Sequence, residues 1–345
     1  MNTRLVKALD GDPPDRVPFL PAIYEHKAWF VGETPSKVCR DVNLFTTAVL
    51  AEYERVQPDA LTIGIDVYNV EAEAVGCKVT YYAGNDISIP AIGPEGAIFQ
   101  GSDEVASLKM PDPSRDGRMP LNLEVARRVV KVLGREVPIR GAVSGPFSMA
   151  SSLVGPQHLL MLTVTHPELA KDLIAFSAEA IKRYARAFIE AGCGVVLFDS
   201  QASTELLSPQ EYRDFALGPT KGIIKYVQEL GVQHVPLIIG GNTTPMLDAY
   251  LETGANNILC DAKANLKQFL DACSKARRAF RRNLDTVDFL EVTAEGVTQR
   301  AVKTLEESNG YPGFILGTGV VPYGTALANL IAIRQAVQEF QGKGK

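Results

Sequence analysis

The chain is short of the residues that most often announce a function. Its 345 residues hold only four histidines, five cysteines and one tryptophan. The cysteines (Cys39, Cys77, Cys193, Cys260 and Cys273) are odd in number, lie far apart and form no CxxC pair. That excludes a disulfide framework and predicts free thiols in a reducing, cytoplasmic setting. No run approaches the ~18 apolar residues of a membrane span. The first eleven residues carry charges instead of the apolar core of a signal peptide. A net charge of -5 leaves no positive excess, which excludes a nucleic-acid surface or an anionic membrane as partner. Neither a GxGxxG nor a Walker segment is present, which argues against a nucleotide-binding open sheet. What remains, with 46% hydrophobic and 22% charged residues, is the composition of a globular protein with ample core.

What the chain does have is eight short apolar runs, each ending on polar residues. Val17–Leu20 leads to Tyr24, Glu25 and His26; Leu61–Ile65 to Asp66; Ile139–Val143 to Ser144; Val195–Phe198 to Asp199. Val235–Ile239 leads to Gly240, Gly241 and Asn242; Asn257–Leu259 to Cys260 and Asp261; Ala279–Arg282 to Asn283 and Asp285; Phe314–Leu316 to Thr318. Segments of helical periodicity lie between these runs. They include Asn43–Glu54, Glu124–Leu133 and Pro167–Ala191, and helix starts are marked by Ser208-Pro209, Thr244-Pro245, Thr293 and Thr325. Regular βα alternation implies a parallel sheet, and eight repeats imply a TIM-type (β/α)8 barrel spanning residues 1–345 as one domain. Two β-like runs, Lys78–Tyr82 and Ile87–Ile92, flank Gly84-Asn85 and predict a hairpin excursion after the second strand.

In such barrels the C-terminal strand ends carry the chemistry. The densest polar run at any of them is Asp66-Val67-Tyr68-Asn69-Val70-Glu71-Ala72-Glu73. A carboxyl in a partly apolar mouth has raised proton affinity and suits a general acid, although Glu71 and Glu73 equally suit the first turn of a helix. His26 beside Glu25 can supply an acid or a metal ligand. Asp199 with Gln201 follows the fourth strand. Gly240–Pro245 combines close backbone approach with a helix start that could face an anion. His158, His166 and His234 read as structural.

Taken in order, these segments resemble the uroporphyrinogen decarboxylase superfamily, and within it the branch that transfers methyl groups to or from corrinoid proteins. The resemblance is carried by Arg4–Pro18, Val70-Glu71-Ala72-Glu73-Ala74-Val75-Gly76, Gly240-Gly241-Asn242-Thr243-Thr244-Pro245 and Phe314-Ile315-Leu316-Gly317-Thr318-Gly319. It implies a TIM-type barrel. It also exposes departures. Thiol-methylating members of that branch bind zinc where this chain has Ile238, Gly240 and Val320, none of which can ligate a metal. The arginine-rich loop of the decarboxylases is replaced by Ala22–Lys27, and their late histidine by Thr318. Asp66 matches the family's central aspartate.

The resemblance therefore implies a cobalamin (corrinoid)-dependent methyltransferase, with the corrinoid on a partner protein and no thiol-type zinc site. Its substrate would be a small methylated molecule such as a methyl ether, or reduced folate (tetrahydrofolate) would accept the methyl group. Expected acids are Asp66, Glu73, His26 and Asp199; expected substrate contacts are Tyr24, Tyr68, Asn69, Gln201, Asn242, Asn283 and Tyr323. A differently built metal site, zinc included, would draw on His26, Glu71, Glu73, Asp199 or Cys260. Two other readings stay open: a decarboxylase of a non-porphyrin acid that uses Arg282 and Lys27, and a non-catalytic corrinoid- or folate-binding barrel. A homodimer is compatible with all three.

Overall fold

The structure is a computed structural model that describes residues 3–99, 105–287, 292–308 and 310–340. Gln100, at the end of the excursion, and the Gly- and Lys-rich tail lie outside the described residues. Eight parallel strands are present, one for each apolar run. They are β1 (Phe19–Ala22), β2 (Leu61–Ile63), β3 (Ile139–Ser144), β4 (Gly194–Phe198), β5 (Pro236–Ile238), β6 (Asn257–Cys260), β7 (Ala279–Leu284) and β8 (Phe314–Val320). They pair in the order β1-β8-β7-β6-β5-β4-β3-β2, a sheet curled in the manner of a TIM-type (β/α)8 fold. Helices follow the predicted periodicity: Val42–Val56, Met119–Leu133, Pro167–Glu190, Ala294–Glu307 and Leu327–Glu339. Ser208 caps its helix in a reciprocal arrangement with Glu211, and Thr293 accepts from the Gly296 amide.

Alternation along each strand divides the core into two. The outer faces pack against the helices, as where Gly141 on β3 leaves room for the Phe188 ring, which an added Cβ would meet at 2.2 Å. The inner faces of several strands contribute Ala22, Tyr24, Val67, Ala142, Val196, Phe198, Ile238 and Leu259 to a separate cluster inside the barrel. The layer below the mouth is charged, because Arg140 on β3 and Arg281 on β7 also point inward.

The β1–β2 seam is closed differently from the other joints. No ladder joins these strands among the described residues. Instead the Asp59 amide donates to the Phe19 carbonyl at 2.9 Å, and the Asp59 carboxylate accepts from the Phe19 amide at 2.7 Å. Above them Lys27, fully buried, donates to the Thr62 and Gly64 carbonyls at 2.9 and 3.0 Å and pairs with Glu52 at 3.3 Å. An ammonium thus supplies the donors that a neighbouring strand would have provided to β2. Burial lowers the Lys27 pKa against the opposing pull of Glu52.

The hairpin expectation is not confirmed. Between residues 78 and 92 only one antiparallel bridge forms, Thr80 with Ala91. The segment is held instead by side chains. The Asn69 amide donates to the Pro90 carbonyl at 2.5 Å, and the Ser36 hydroxyl accepts from the Tyr82 amide at 3.0 Å. A two-stranded ribbon without a covering face is marginal in water. Here the loop lies on the mouth as an anchored strap.

Candidate active site

Two cavities, each of about 280 Å³, open at the C-terminal ends of the strands and share Tyr68. The first is central, lined by Tyr24, Tyr68, Phe198, Ser200, Ile238, Gly240, Leu259, Asp261, Lys263, Arg281, Asn283 and Val320, among others. The second lies under the strap, lined by Asn69, Ile92, Ser148, Ser151, Ser152 and Gln201, and it presents amides and hydroxyls instead of charges. Tyr68 divides them through its hydroxyl, 3.1 Å from Ser200 Oγ. Tyr24 and Tyr68 meet the Phe198 ring edge-on, at 5.4 and 6.1 Å between centroids. Burial pushes the Tyr24 hydroxyl up to about 12, so it stays protonated and can donate to a bound oxygen or nitrogen.

Most of the expected substrate contacts converge here. Tyr24, Tyr68 and Asn283 line the central cavity, and Tyr68, Asn69 and Gln201 the second. Asn242 and Tyr323 line neither. The Asn242 side chain accepts from the Thr244 amide at 3.3 Å, and the Tyr323 hydroxyl donates to the Glu33 carbonyl at 3.2 Å. The turn after β5 depends on its glycines. Gly241 has φ +79°, and its amide donates to Asp261 Oδ2 at 2.8 Å. The helix start beyond it is a single 3-10 turn, Thr244–Met246, followed by the short helix Leu247–Glu252.

The expected acids are placed otherwise. Asp66 receives the Arg118 guanidinium in two parallel bonds of 2.8 and 2.6 Å, and Glu73 takes a third at 2.6 Å. Tyr81 completes the group by donating to Glu73 at 2.5 Å. Burial opposes the Arg118 charge, yet Asp66 and Glu73 hold it above its ordinary value. His26 is buried between Trp29 and Phe30, with Nδ1 3.0 Å from the Pro322 carbonyl, and burial pushes it down to about 4. Asp199 accepts from the Ser148 amide at 2.8 Å and leaves Oδ2 without a partner among the described residues; burial raises it to about 6. None of these four lines either mouth cavity.

Arg118 gave no signal in the sequence, because it lies 52 residues beyond its partner Asp66 at the start of a helix.

Among the described residues, no three of histidine, cysteine, aspartate and glutamate converge as metal ligands. The candidates are dispersed. Glu71 accepts from the Ser144 amide and hydroxyl at 2.7 and 3.0 Å and is pushed by burial to about 7. Cys260 is buried beside Arg282 at 3.4 Å, its thiol raised by burial to about 11. Ile238, Gly240 and Val320, the positions at which the resemblance implies zinc ligands, do converge on the central cavity. They bring two hydrocarbon side chains and no donor atom, so the residues present do not fit that zinc. Thr318, which the resemblance sets in place of a histidine, accepts the Ala22 amide at 2.9 Å through its hydroxyl and ties β1 to β8.

A parallel barrel with its cavities at the C-terminal strand ends defines an α/β-barrel enzyme. Residues 1–340 match the family model for uroporphyrinogen decarboxylase (URO-D), and the chain belongs to that family. The chain is 29% identical to the methylcobamide:CoM methyltransferase MtbA of Methanosarcina acetivorans, over 98% of this chain and 97% of that one. It is 26% identical to the uroporphyrinogen decarboxylase of Alkalilimnicola ehrlichii, over 93% of this chain and 89% of that one. A solved methyltransferase from Methanosarcina mazei superposes with a TM-score of 0.87 at 25% identity, covering 98% of both chains. The resemblance read from the motifs, with its methyltransferase relatives, is thereby met.

Proposed function

We propose that the protein is a corrinoid-dependent methyltransferase that takes a methyl group from a small methylated substrate, such as a methyl ether, without activating a thiol on zinc. The observation that supports this reading is the central cavity at the C-terminal strand ends, which Ile238, Gly240 and Val320 line without a metal-ligating side chain. A corrinoid on a partner protein supplies the cobalt nucleophile, so this chain need not make one. At about 280 Å³ the cavity is at the lower end of small-molecule sites, roughly 300–1,000 Å³, and suits a compact substrate with the corrin ring above the mouth.

The protein's own work is to orient the methyl–oxygen bond toward the mouth and to stabilise the departing oxygen. The Tyr24 hydroxyl is the donor best placed to protonate or hydrogen-bond that oxygen, with Tyr68 beside it. Asn283 orients the substrate from β7. Phe198, Ile238, Leu259 and Val320 keep water from its apolar side. Asp199, whose Oδ1 accepts from the amide of the cavity-lining Ser148 and whose Oδ2 has no partner among the described residues, is a further acid, raised by burial to about 6.

Incubation of the protein with cob(I)alamin and a panel of methyl ethers, amines and sulfides tests the reading. Appearance of the methylcobalamin spectrum with an ether supports it. No methylcobalamin with any donor, together with no demethylation of methylcobalamin by tetrahydrofolate, would refute it. A second reading, decarboxylation of a small non-porphyrin acid, is favoured by one observation, the buried Arg281 cation in the cavity wall. It can no longer rest on Arg282 or Lys27. Arg282 is held by the Asp261, Ala264 and Ala262 carbonyls at 2.6, 2.9 and 3.1 Å, and Lys27 by the seam. Carbon dioxide release from candidate acids separates the two.

A further inference from the structure

The inner face of β7 carries a charge that no acid among the described residues pairs with at salt-bridge distance. Arg281 is 5% exposed, lines the central cavity, and its Nε has no hydrogen-bond partner among the described residues. The Tyr24 hydroxyl interacts with it but, raised by burial to about 12, contributes no negative charge. Arg140, deeper in the barrel, adds a second cation. Its pKa is brought down to about 10 by burial and then by the Arg281 charge. Asp261, a carboxylate of the same wall, is occupied. Its Oδ2 accepts from the Gly241 amide at 2.8 Å and its Oδ1 from the Ala262 amide at 2.9 Å. On the adjacent strand β8 the backbone leaves room for the arginine. A Cβ on Gly317 would meet Arg281 Cδ at 2.6 Å and Cγ at 2.8 Å.

A buried guanidinium without a counterion is held at a cost of several kcal/mol, and an arriving anion that pairs with it recovers much of that. Its planar fork of donors matches a carboxylate better than any spherical ion. We propose that Arg281 is the anchor for a carboxylate on the small molecule that fills the central cavity. Tyr24 and Asn283 border the same space, and the apolar remainder of the ligand faces Phe198, Ile238, Leu259 and Val320. The proposal deepens the reading of this cavity as the substrate site and makes the substrate a small methylated acid.

The test is calorimetric titration of the full chain with two pairs of isosteres, benzoate against benzamide and 4-methoxybenzoate against 4-methoxybenzamide. The expected result is at least tenfold tighter binding of each acid than of its amide. Arg281→Gln should abolish that preference by weakening the acid alone. Arg281→Lys should keep part of it. Gly317→Ala retains the guanidinium but displaces it, and its Cβ also meets Asn283 Oδ1 at 2.8 Å, so it should weaken the acids about tenfold more than it weakens the amides. Equal binding of acid and amide by the wild-type chain, or an acid preference that survives in Arg281→Gln, overturns the proposal. If Arg281→Gln does not fold, the wild-type comparison and Gly317→Ala decide it. The methyl-transfer reading fails separately. Acids that bind through Arg281 but never yield methylcobalamin would sink that reading and leave the anchor. A methoxybenzoate demethylated equally well by wild type and Arg281→Gln would sink the anchor and leave methyl transfer.

Discussion

Replacing Arg118 with methionine tests how the mouth of the barrel is held. Arg118 makes three charge-assisted bonds, two to Asp66 and one to Glu73, and the Asp66 side chain is only 3% exposed. Methionine of similar length keeps the packing of the stem but strands a buried carboxylate. Removing one partner of a buried ion pair costs about 3–5 kcal/mol, because the remaining charge stays desolvated. Glu73 is more exposed, at 17%, and can turn to water, so the lower half of that range, about 3–4 kcal/mol, is expected. Urea unfolding at pH 7 should show this as a lowered midpoint with an unchanged slope. The triple variant Arg118→Met, Asp66→Asn, Glu73→Gln supplies the check. With the stranded charges neutralised it should recover at least half of the loss. A triple variant as unstable as Arg118→Met alone would refute the electrostatic argument and leave packing as the cause. The same series separates the roles of Asp66. If it is the acid, Asp66→Asn loses orders of magnitude in rate at near-wild-type binding; if it anchors Arg118, rate and stability fall together.

Other outcomes follow from the same geometry. Lys27→Met should destabilise by about 3–5 kcal/mol in urea melts, since it orphans the Thr62 and Gly64 carbonyls and Glu52, and Lys27→Met with Glu52→Gln should recover part of that. His26 is held near 4 from an ordinary 6.5, so the unfolded chain takes up its proton first and stability is lost as pH falls through that window. His26→Phe should therefore lose less unfolding free energy between pH 7 and pH 4 than wild type, by up to about 3 kcal/mol at ~1.4 kcal/mol per unit. The raised carboxyls Glu25, Glu71 and Asp199 act in the opposite sense but are common to both proteins. Gly145→Ala would put a Cβ 2.1 Å from Asp199 Cγ and should lower the melting temperature, whereas the exposed Gly218→Ala, with nothing within 4 Å, should not.

The sequence by itself determined the ring of strands and the end at which chemistry collects. Each strand is a short apolar run bounded by polar residues, and its helix partner has its own periodicity and cap. Such information is local, and Ser208 with Glu211 or Thr293 with Gly296 express it within three residues. The motif segments singled out Ile238, Gly240 and Val320 as positions without metal-ligating side chains, and the fold does bring the three to one cavity. What only the tertiary structure decided is which polar residues are free to act. Asp66 and Glu73 looked available because their partner, Arg118, is distant in sequence; Lys27 looked like a substrate cation until the seam claimed it. The strap after β2 lacked any local reason to stay open, and side chains such as Asn69 fix it from outside its own sequence. Arg281 was hidden for the converse reason. An arginine pair in a strand shows nothing of facing, and only the pleat turns Arg282 to the Asp261, Ala262 and Ala264 carbonyls while Arg281 faces the cavity. The availability of a charge depends on long-range pairing and desolvation, and neither is written in the order of residues along a single strand.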